Sequence, residues 1–257
     1  MNMPQNPFKA ALKAGEKQIG LWVSLSSNYA AEVVASAGFD WLCVDTEHAP
    51  GDHMTVLGQL QAIAPHTSCI MRPPWNDTVM IKRYLDMGAP GLLLPMVQTA
   101  EEAQAAVAAT RYPPKGVRGV AGSMRGNQFG RYSDYNDRVD DETVVIVQIE
   151  SRAAMARSVE IGTVEGVDGV FFGPADISAD MGLMGQTMHD DVWAAIRAAA
   201  KPLMERGVPV GTLVLDPAFG AQLLDEGFTF VAVGTDLGLL ARATDNLLAD
   251  VKGRLKG

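Results

Sequence analysis

Eight short apolar runs alternate with eight amphipathic stretches along the whole chain, and this alternation constrains the fold more than any other feature. The runs cover 19–24, 41–45, 68–72, 91–95, 143–149, 169–172, 209–213 and 230–233. They are almost continuously apolar rather than alternating apolar and polar, as strands of a parallel sheet are when helices cover it. The stretches between them, 30–37, 56–64, 79–87, 100–110, 153–161, 192–206, 218–226 and 237–252, carry helical periodicity. Gly38, Gly88, Gly207 and Gly227 stand where a helix should stop. Eight such units in one unbroken series predict an α/β fold, a (β/α)8 TIM barrel forming a single domain over 1–257. A doubly wound open sheet fits less well, because it needs fewer strands and a switch point.

The 257 residues are 47% hydrophobic, enough to bury a substantial core. A net charge of -9 opposes binding to nucleic acid or to an anionic membrane surface. No basic segment leads into an apolar one at the start, and no run approaches the ~18 apolar residues of a membrane span. The expectation is a soluble cytoplasmic protein. Cys43 and Cys69 each lie inside an apolar run and are expected as reduced core thiols. No Cys-x-x-Cys or paired-histidine spacing points to structural zinc.

One segment breaks the rhythm. Residues 111–141 are rich in Gly, Arg and Tyr and separate the fourth strand from the fifth. Loops longer than ~15 residues are usually functional or disordered. An insertion after a barrel strand falls on the catalytic face, so a substrate-covering loop is expected here.

Catalytic groups in barrels sit at the C-terminal ends of the strands. Strand two runs into Asp45, Glu47 and His48, strand three ends in Arg72, and strand five ends in Gln148-Ile149-Glu150. Strand six runs into Gly173-Pro174-Ala175-Asp176. Glu150 and Asp176 come from consecutive strands, and two nearby carboxylates repel unless a cation or a proton lies between them. A hard divalent ion such as Mg2+ or Mn2+ suits such a pair, and a simple hydrogen-bonded pair is the alternative. Gly173 permits close approach, and free N–H groups beyond it can hold a carboxylate. Arg72 offers a planar fork to a carboxylate or an enolate, or else makes a rim salt bridge. His48 is the best-placed general base, although a lone histidine is often only a polar loop residue. His53, His66 and His189 show no such convergence. No strand ends in lysine, which argues against Schiff-base chemistry. The last two strands lead to Asp216 and Asp236, which disfavours a phosphate site.

The stretches GLWVSLSS, DTEHAP, MRPPWND, LLLPMV, TRYPPKGVRGV, VQIESR, GVDGVFFGPADISADMG and FVAVGTD resemble the class II pyruvate aldolases of the HpcH/HpaI family, from Phe8 to about Arg242. The resemblance implies reversible, metal-dependent retro-aldol cleavage of 4-hydroxy-2-oxo acids, of the 4-hydroxy-2-oxoheptanedioate type, to pyruvate and an aldehyde. It implies that Glu150 and Asp176 hold Mg2+, Mn2+ or Co2+, that Arg72 stabilises the pyruvate enolate, and that His48 is the base. Asp86 of a neighbouring subunit would orient His48 and raise its basicity, within a homohexamer built as a dimer of trimers. Gln148, Gly173, Ala175, Asp176 and Leu213 would contact the keto acid. Thr46 stands where many relatives have glycine, and Phe129 where a tryptophan is common; the second bears on the acceptor aldehyde. Aldolases of 2-dehydro-3-deoxy sugar acids (glucarate or rhamnonate) and a non-catalytic keto-acid-binding barrel are the rival expectations.

Overall fold

The computed structural model describes residues 1–255, and their eight parallel strands close into a barrel in sequence order. The strands are β1 (Gln18–Val23), β2 (Trp41–Asp45), β3 (Ser68–Arg72), β4 (Gly91–Leu94), β5 (Val144–Ile149), β6 (Gly169–Phe172), β7 (Val210–Leu213) and β8 (Phe230–Thr235). Before the barrel comes α1 (Pro7–Ala14); α2 (Asn28–Ala35), α3 (His53–Ile63), α4 (Thr78–Asp86) and α5 (Ala100–Thr110) follow the first four strands. Next are α6 (Tyr135–Glu142), α7 (Arg152–Met155), α8 (Ser158–Gly162), α9 (Pro174–Asp180), α10 (Asp190–Met204), α11 (Pro217–Asp225) and α12 (Asp236–Leu255).

Local chemistry explains where these helices begin and end. Ser27, Asp52, Asp77, Thr99 and Asp216 each accept a backbone N–H from the first turn that follows, filling donors a helix start leaves unpaired. Gly38, Gly88, Gly207 and Gly227 all have φ between 73° and 108°, the left-handed conformation that ends a helix. The predicted single helix over 153–161 is instead the pair α7 and α8. Both cysteines are buried and unbridged. Among the described residues no helix is long and apolar enough to cross a membrane.

Each strand buries both faces. Val145, Val147 and Ile149 of β5 pack under the helices, while Val144 and Ile146 point into the barrel. The interior is a cluster of large rings: Trp22, Trp41, Phe171 and Phe230 pack tilted or edge-to-face against one another, with Phe8 of α1 against Trp41 and Phe230. Glycines make room for them. A Cβ at Gly20 would meet the Trp41 ring at 2.2 Å, and one at Gly211 would meet the Phe230 ring at 2.2 Å. Helix α1 thus plugs the N-terminal end of the barrel. Lys9 fixes it there, 3.0 Å from Asp168 and 2.6 Å from the Thr143 carbonyl.

The segment 111–141 corrects an expectation. It follows α5 rather than β4, so it is a helix-to-strand connection and lies at the N-terminal end, opposite the strand tips. It carries a 3-10 turn (Arg125–Asn127) and most of α6, and it packs beside the N-terminal residues, with Glu142 of α6 accepting from the Asn6 N–H at 2.6 Å. The segment does not cover the rim of its own barrel.

Removing the plug should be costly. Phe8→Ala deletes a ring that is 1% exposed and leaves a cavity, a loss of roughly 3–5 kcal/mol. The unfolding midpoint should fall by on the order of 10 °C. A midpoint within a degree of the parent protein would contradict the plug.

Candidate active site

The period-two alternation that fills the barrel also decides which side chains reach its mouth. Trp41 and Cys43 of β2 point inward, so Asp45 does too. Ile70 precedes Arg72 by the same step, Val144 and Ile146 precede Gln148, and Phe171 precedes Gly173. Asp45 and Arg72 are paired in the β2–β3 register. Their side chains therefore meet: Arg72 Nε donates to Asp45 Oδ1 at 3.0 Å and Nη2 to Oδ2 at 2.8 Å. Nη1 lies 3.2 Å from Glu47 Oε2, and the guanidinium carbon stands 5.2 Å from the centre of the Trp22 ring. A second layer locks the loop, with Tyr84 donating to the Thr46 hydroxyl and Thr46 donating to the Arg72 carbonyl.

Glu150 is the second focus. It is 3% exposed, accepts the Met96 N–H at 2.8 Å on Oε2, and accepts Gln148 Nε2 at 2.6 Å on Oε1. Met96 reaches it from a left-handed backbone, φ 54°, a conformation that costs a non-glycine residue on the order of 1 kcal/mol. Gly173 closes the other side. A Cβ there would lie 2.9 Å from Glu150 Oε1 and 3.0 Å from Gln148 Nε2, so only glycine leaves this carboxylate its place.

Electrostatics separates the carboxylates. Burial alone would raise the Asp45 carboxyl, but the Arg72 hydrogen bonds and charge, with the Glu47 and His48 N–H groups, hold it below its ordinary value. Burial raises Glu47 above the usual range, with Arg72 and His48 compensating only in part. Glu150 is pushed up to about 7 by burial, opposed by the Met96 hydrogen bond and reinforced by the charges of Asp176 and Glu47. Arg72, by contrast, stays charged; burial opposes the charge, and Asp45 more than offsets it.

His48, Arg72, Gln148, Gly173, Ala175, Asp176 and Leu213 line one cavity of about 590 Å3 at the strand tips. Glu150 joins them through its bond to Gln148. Asp86 does not: it ends α4, which runs antiparallel to the strands, so it lies at the opposite end of the same barrel. Three features escaped the sequence. Trp22 follows from strand parity, whereas Met96 contributes only its backbone and carries no side-chain signal. The outer wall, Met188, Trp193 and Leu215, comes from loops and helix ends.

The donors fit a divalent cation. Gln148 Oε1 is a buried acceptor without a hydrogen-bond partner, Glu47 Oε2 makes no hydrogen bond and has only the Arg72 charge 3.2 Å away, and Glu150 is a desolvated carboxylate beside like charge. No group of three or more His, Cys, Asp or Glu among the described residues is arranged to enclose an ion. An ion here would rest on two protein carboxylates, with its other positions open to water and to a chelating ligand. Ala175 and Asp176, in the first turn of α9 behind Pro174, add N–H groups that no earlier turn can use.

Comparison with known proteins gives a consistent result. The profile of the HpcH/HpaI aldolase/citrate lyase family matches residues 18–243. A 4-hydroxy-2-oxo-heptane-1,7-dioate aldolase of Escherichia coli is 53% identical over 247 residues, 95% of this chain and 94% of that protein. A pyruvate aldolase of Rhizobium etli is 52% identical over 250 residues, 97% of this chain and 98% of that one. Among solved structures, an HpcH/HpaI aldolase/citrate lyase family protein from Burkholderia cenocepacia superposes with a TM-score of 0.92 at 39% identity, covering 96% of this chain and all of that one.

The raised Glu150 carboxyl has a consequence for the metal-free protein. A folded-state value above the unfolded one means that the fold holds a proton the open chain has lost. That stabilisation is complete below the ordinary carboxylate range and disappears as pH rises towards about 7. In EDTA the protein should lose on the order of 2–3 kcal/mol between pH 5 and 7.5 through this group. Glu150→Gln should flatten that part of the pH–stability curve. Parallel curves for the two proteins would contradict the assignment.

Proposed function

The chain belongs to the HpcH/HpaI aldolase/citrate lyase family, and from that premise we propose that it is a carbon–carbon lyase that cleaves 4-hydroxy-2-oxo acids to pyruvate and an aldehyde, and runs the aldol addition in reverse. The observation that carries this proposal is the meeting, at one end of the barrel, of carboxylates whose charge is undercompensated, Glu47 and Glu150, with one charged guanidinium, Arg72, beside a cavity that Arg72 and Asp176 line. The substrate type, 4-hydroxy-2-oxoheptanedioate giving succinic semialdehyde, rests on the name of the E. coli relative.

A divalent ion (Mg2+, Mn2+ or Co2+) held by Glu150 and Asp176 would chelate the 2-oxo acid and polarise its carbonyl. Around that carbonyl the protein supplies fixed groups. Gln148 and the Ala175 N–H orient the keto acid's oxygens, and Gly173 leaves them room. Arg72, immobilised by Asp45 on one edge and Trp22 on its face, faces the oxygen on which enolate charge develops and stabilises it without reorganising. His48, on the loop after β2 with 66% of its side chain exposed, takes the 4-hydroxyl proton as the bond to the aldehyde carbon breaks, and a proton returned to the enolate carbon after the aldehyde leaves completes pyruvate. Leu213 and the outer wall bound the aldehyde portion. No lysine is among the residues lining the cavity, which suits an enolate rather than a Schiff base.

The catalytic unit on this proposal is an oligomer, a homohexamer arranged as a dimer of trimers, in which Asp86 of an adjoining subunit reaches His48. Two observations favour assembly. Asp86 lies at the far end of its own barrel, and α12 leaves Leu237, Leu239, Leu240, Leu247, Leu248 and Val251 between 46% and 66% exposed, an apolar surface large for a free helix. The two unbridged thiols suit a reducing compartment, and the cytoplasm is the proposed location.

EDTA should abolish cleavage, and Mg2+, Mn2+ or Co2+ should restore it; full activity in a demonstrably metal-free sample would overturn the metal assignment. Succinic semialdehyde should be the better acceptor in the addition direction, and preference for hydroxylated aldehydes would indicate a sugar-acid substrate instead. Borohydride added with pyruvate should trap no adduct. Mixing inactive His48→Ala and Asp86→Ala proteins under subunit exchange should regenerate activity, since each restored site draws one intact residue from each parent. Recovery of none, with exchange confirmed by mass, would remove Asp86 from the site.

A further inference from the structure

Behind Asp86 stands a side chain for which the chemistry above has no use. Arg118, in the 111–141 segment, is 1% exposed, among the largest fully buried side chains of the protein. Burying a guanidinium so completely is expensive unless its partners repay it, and this one is only partly repaid. Its Nη2 donates to Asp86 Oδ1 at 2.8 Å and lies 3.3 Å from the Tyr135 hydroxyl, while Nε and Nη1 have no hydrogen-bond partner. The guanidinium carbon lies 4.6 Å from the centre of the Tyr112 ring. Arg118 is held by a ring on its face and a phenol at its edge, and its one ionic bond goes to Asp86.

The rest of the segment closes on the same end of α4. Arg125 Nη1 donates to the Met87 carbonyl at 2.8 Å. A Cβ at Gly126 would stand 2.6 Å from the Leu85 carbonyl oxygen, and one at Gly88 would stand 2.8 Å from Arg125 Nη1, so the turn lies directly on the helix end. Asp86 itself keeps 27% of its side chain exposed. A carboxylate anchored through one oxygen and open to the surface is poised to meet something beyond its own chain.

We infer that Arg118 is a positioning residue for Asp86, and that the 111–141 segment fixes the end of α4 so that this carboxylate is presented in one orientation to the adjoining subunit's His48. The inference rests on the proposed pairing of Asp86 with that histidine. It gives the insertion a role in catalysis although it lies at the far end of its own barrel. Misplacing a catalytic partner by about 1 Å costs on the order of 100-fold in rate, so loss of the anchor acts on kcat.

The test compares Asp86→Asn, Arg118→Met, Arg118→Lys and the doubles of each Arg118 variant with Asp86→Asn, under saturating Mn2+, with oligomer mass measured for each. Asp86→Asn should lower kcat for cleavage. Arg118→Met should lower it ~10- to 100-fold with KM for the 2-oxo acid nearly unchanged, and Arg118→Lys should recover part of the loss. In the Asp86→Asn background neither Arg118 substitution should reduce kcat further, because Arg118 acts through Asp86. Wild-type kcat in Asp86→Asn would sink the histidine pairing itself, and this inference with it. An impaired Asp86→Asn beside a fully active Arg118→Met, or losses that multiply in the doubles, would overturn the positioning role and leave the pairing intact. If Arg118→Met fails to assemble, the Arg118→Lys pair decides by the same rule of further loss or none.

Discussion

The site depends on an imbalance of charge in a place with little water. Asp45, Glu47 and Glu150 stand at one rim, buried or nearly so, within reach of the Asp176 charge, and a single guanidinium stands among them. Arg72 spends two hydrogen bonds on Asp45, which leaves Glu47 and Glu150 undercompensated. Buried carboxylates in that condition either take up protons or gather a cation. The left-handed Met96, the obligatory Gly173 and the orphaned Gln148 oxygen all follow from holding such a cluster open. Each is a small local cost that a purely structural rim would have no reason to bear.

The same alternation of side chains serves stability and chemistry in different layers. Below the rim, inward positions carry Trp41, Phe171 and Phe230, fitted against glycines and closed by α1. One step above them the inward positions become Asp45, Arg72, Gln148 and Gly173. The aromatic layer is therefore the rigid floor on which the polar layer stands, and the Trp22 ring touching Arg72 is where the two meet. The far end of the barrel has its own polar construction, centred on Arg118 and Asp86. The proposed pairing of Asp86 with an adjoining subunit's His48 would join this end of one barrel to the rim of the next.

Much of this was legible in the sequence because strands and helices announce themselves by period. All eight strands fall within two residues of the predicted bounds at either end, and Asp45, Arg72, Gln148 and Glu150 follow from where the apolar runs stop. What the sequence hid had identifiable causes. Helix α1 is short and stands outside the βα rhythm, and α9 is masked by the glycine–proline turn that starts it. Composition marks 111–141 as an insertion but not the face it joins, which its position after α5 rather than after β4 decides. Met96 acts through a backbone N–H, which any residue possesses. Only the family resemblance points to Asp86, since Leu85-Asp86-Met87 reads as an ordinary helix end and its partner Arg118 lies 32 residues away in sequence.

The central claim is that the rim makes an enolate of a 2-oxo acid, and proton exchange at the methyl group of pyruvate reports on that step without any aldehyde present. In D2O with saturating Mg2+, followed by proton NMR, the methyl signal should decay with the wild-type protein. Arg72→Ala should slow the decay ~100- to 1,000-fold while a thermal shift on adding Mg2+ persists, because the guanidinium acts on enolate charge and not on the ion. Arg72→Lys should recover little of the rate, lacking the planar fork. Near-wild-type exchange in Arg72→Ala would contradict the account and return Arg72 to the role of a rim salt bridge with Asp45.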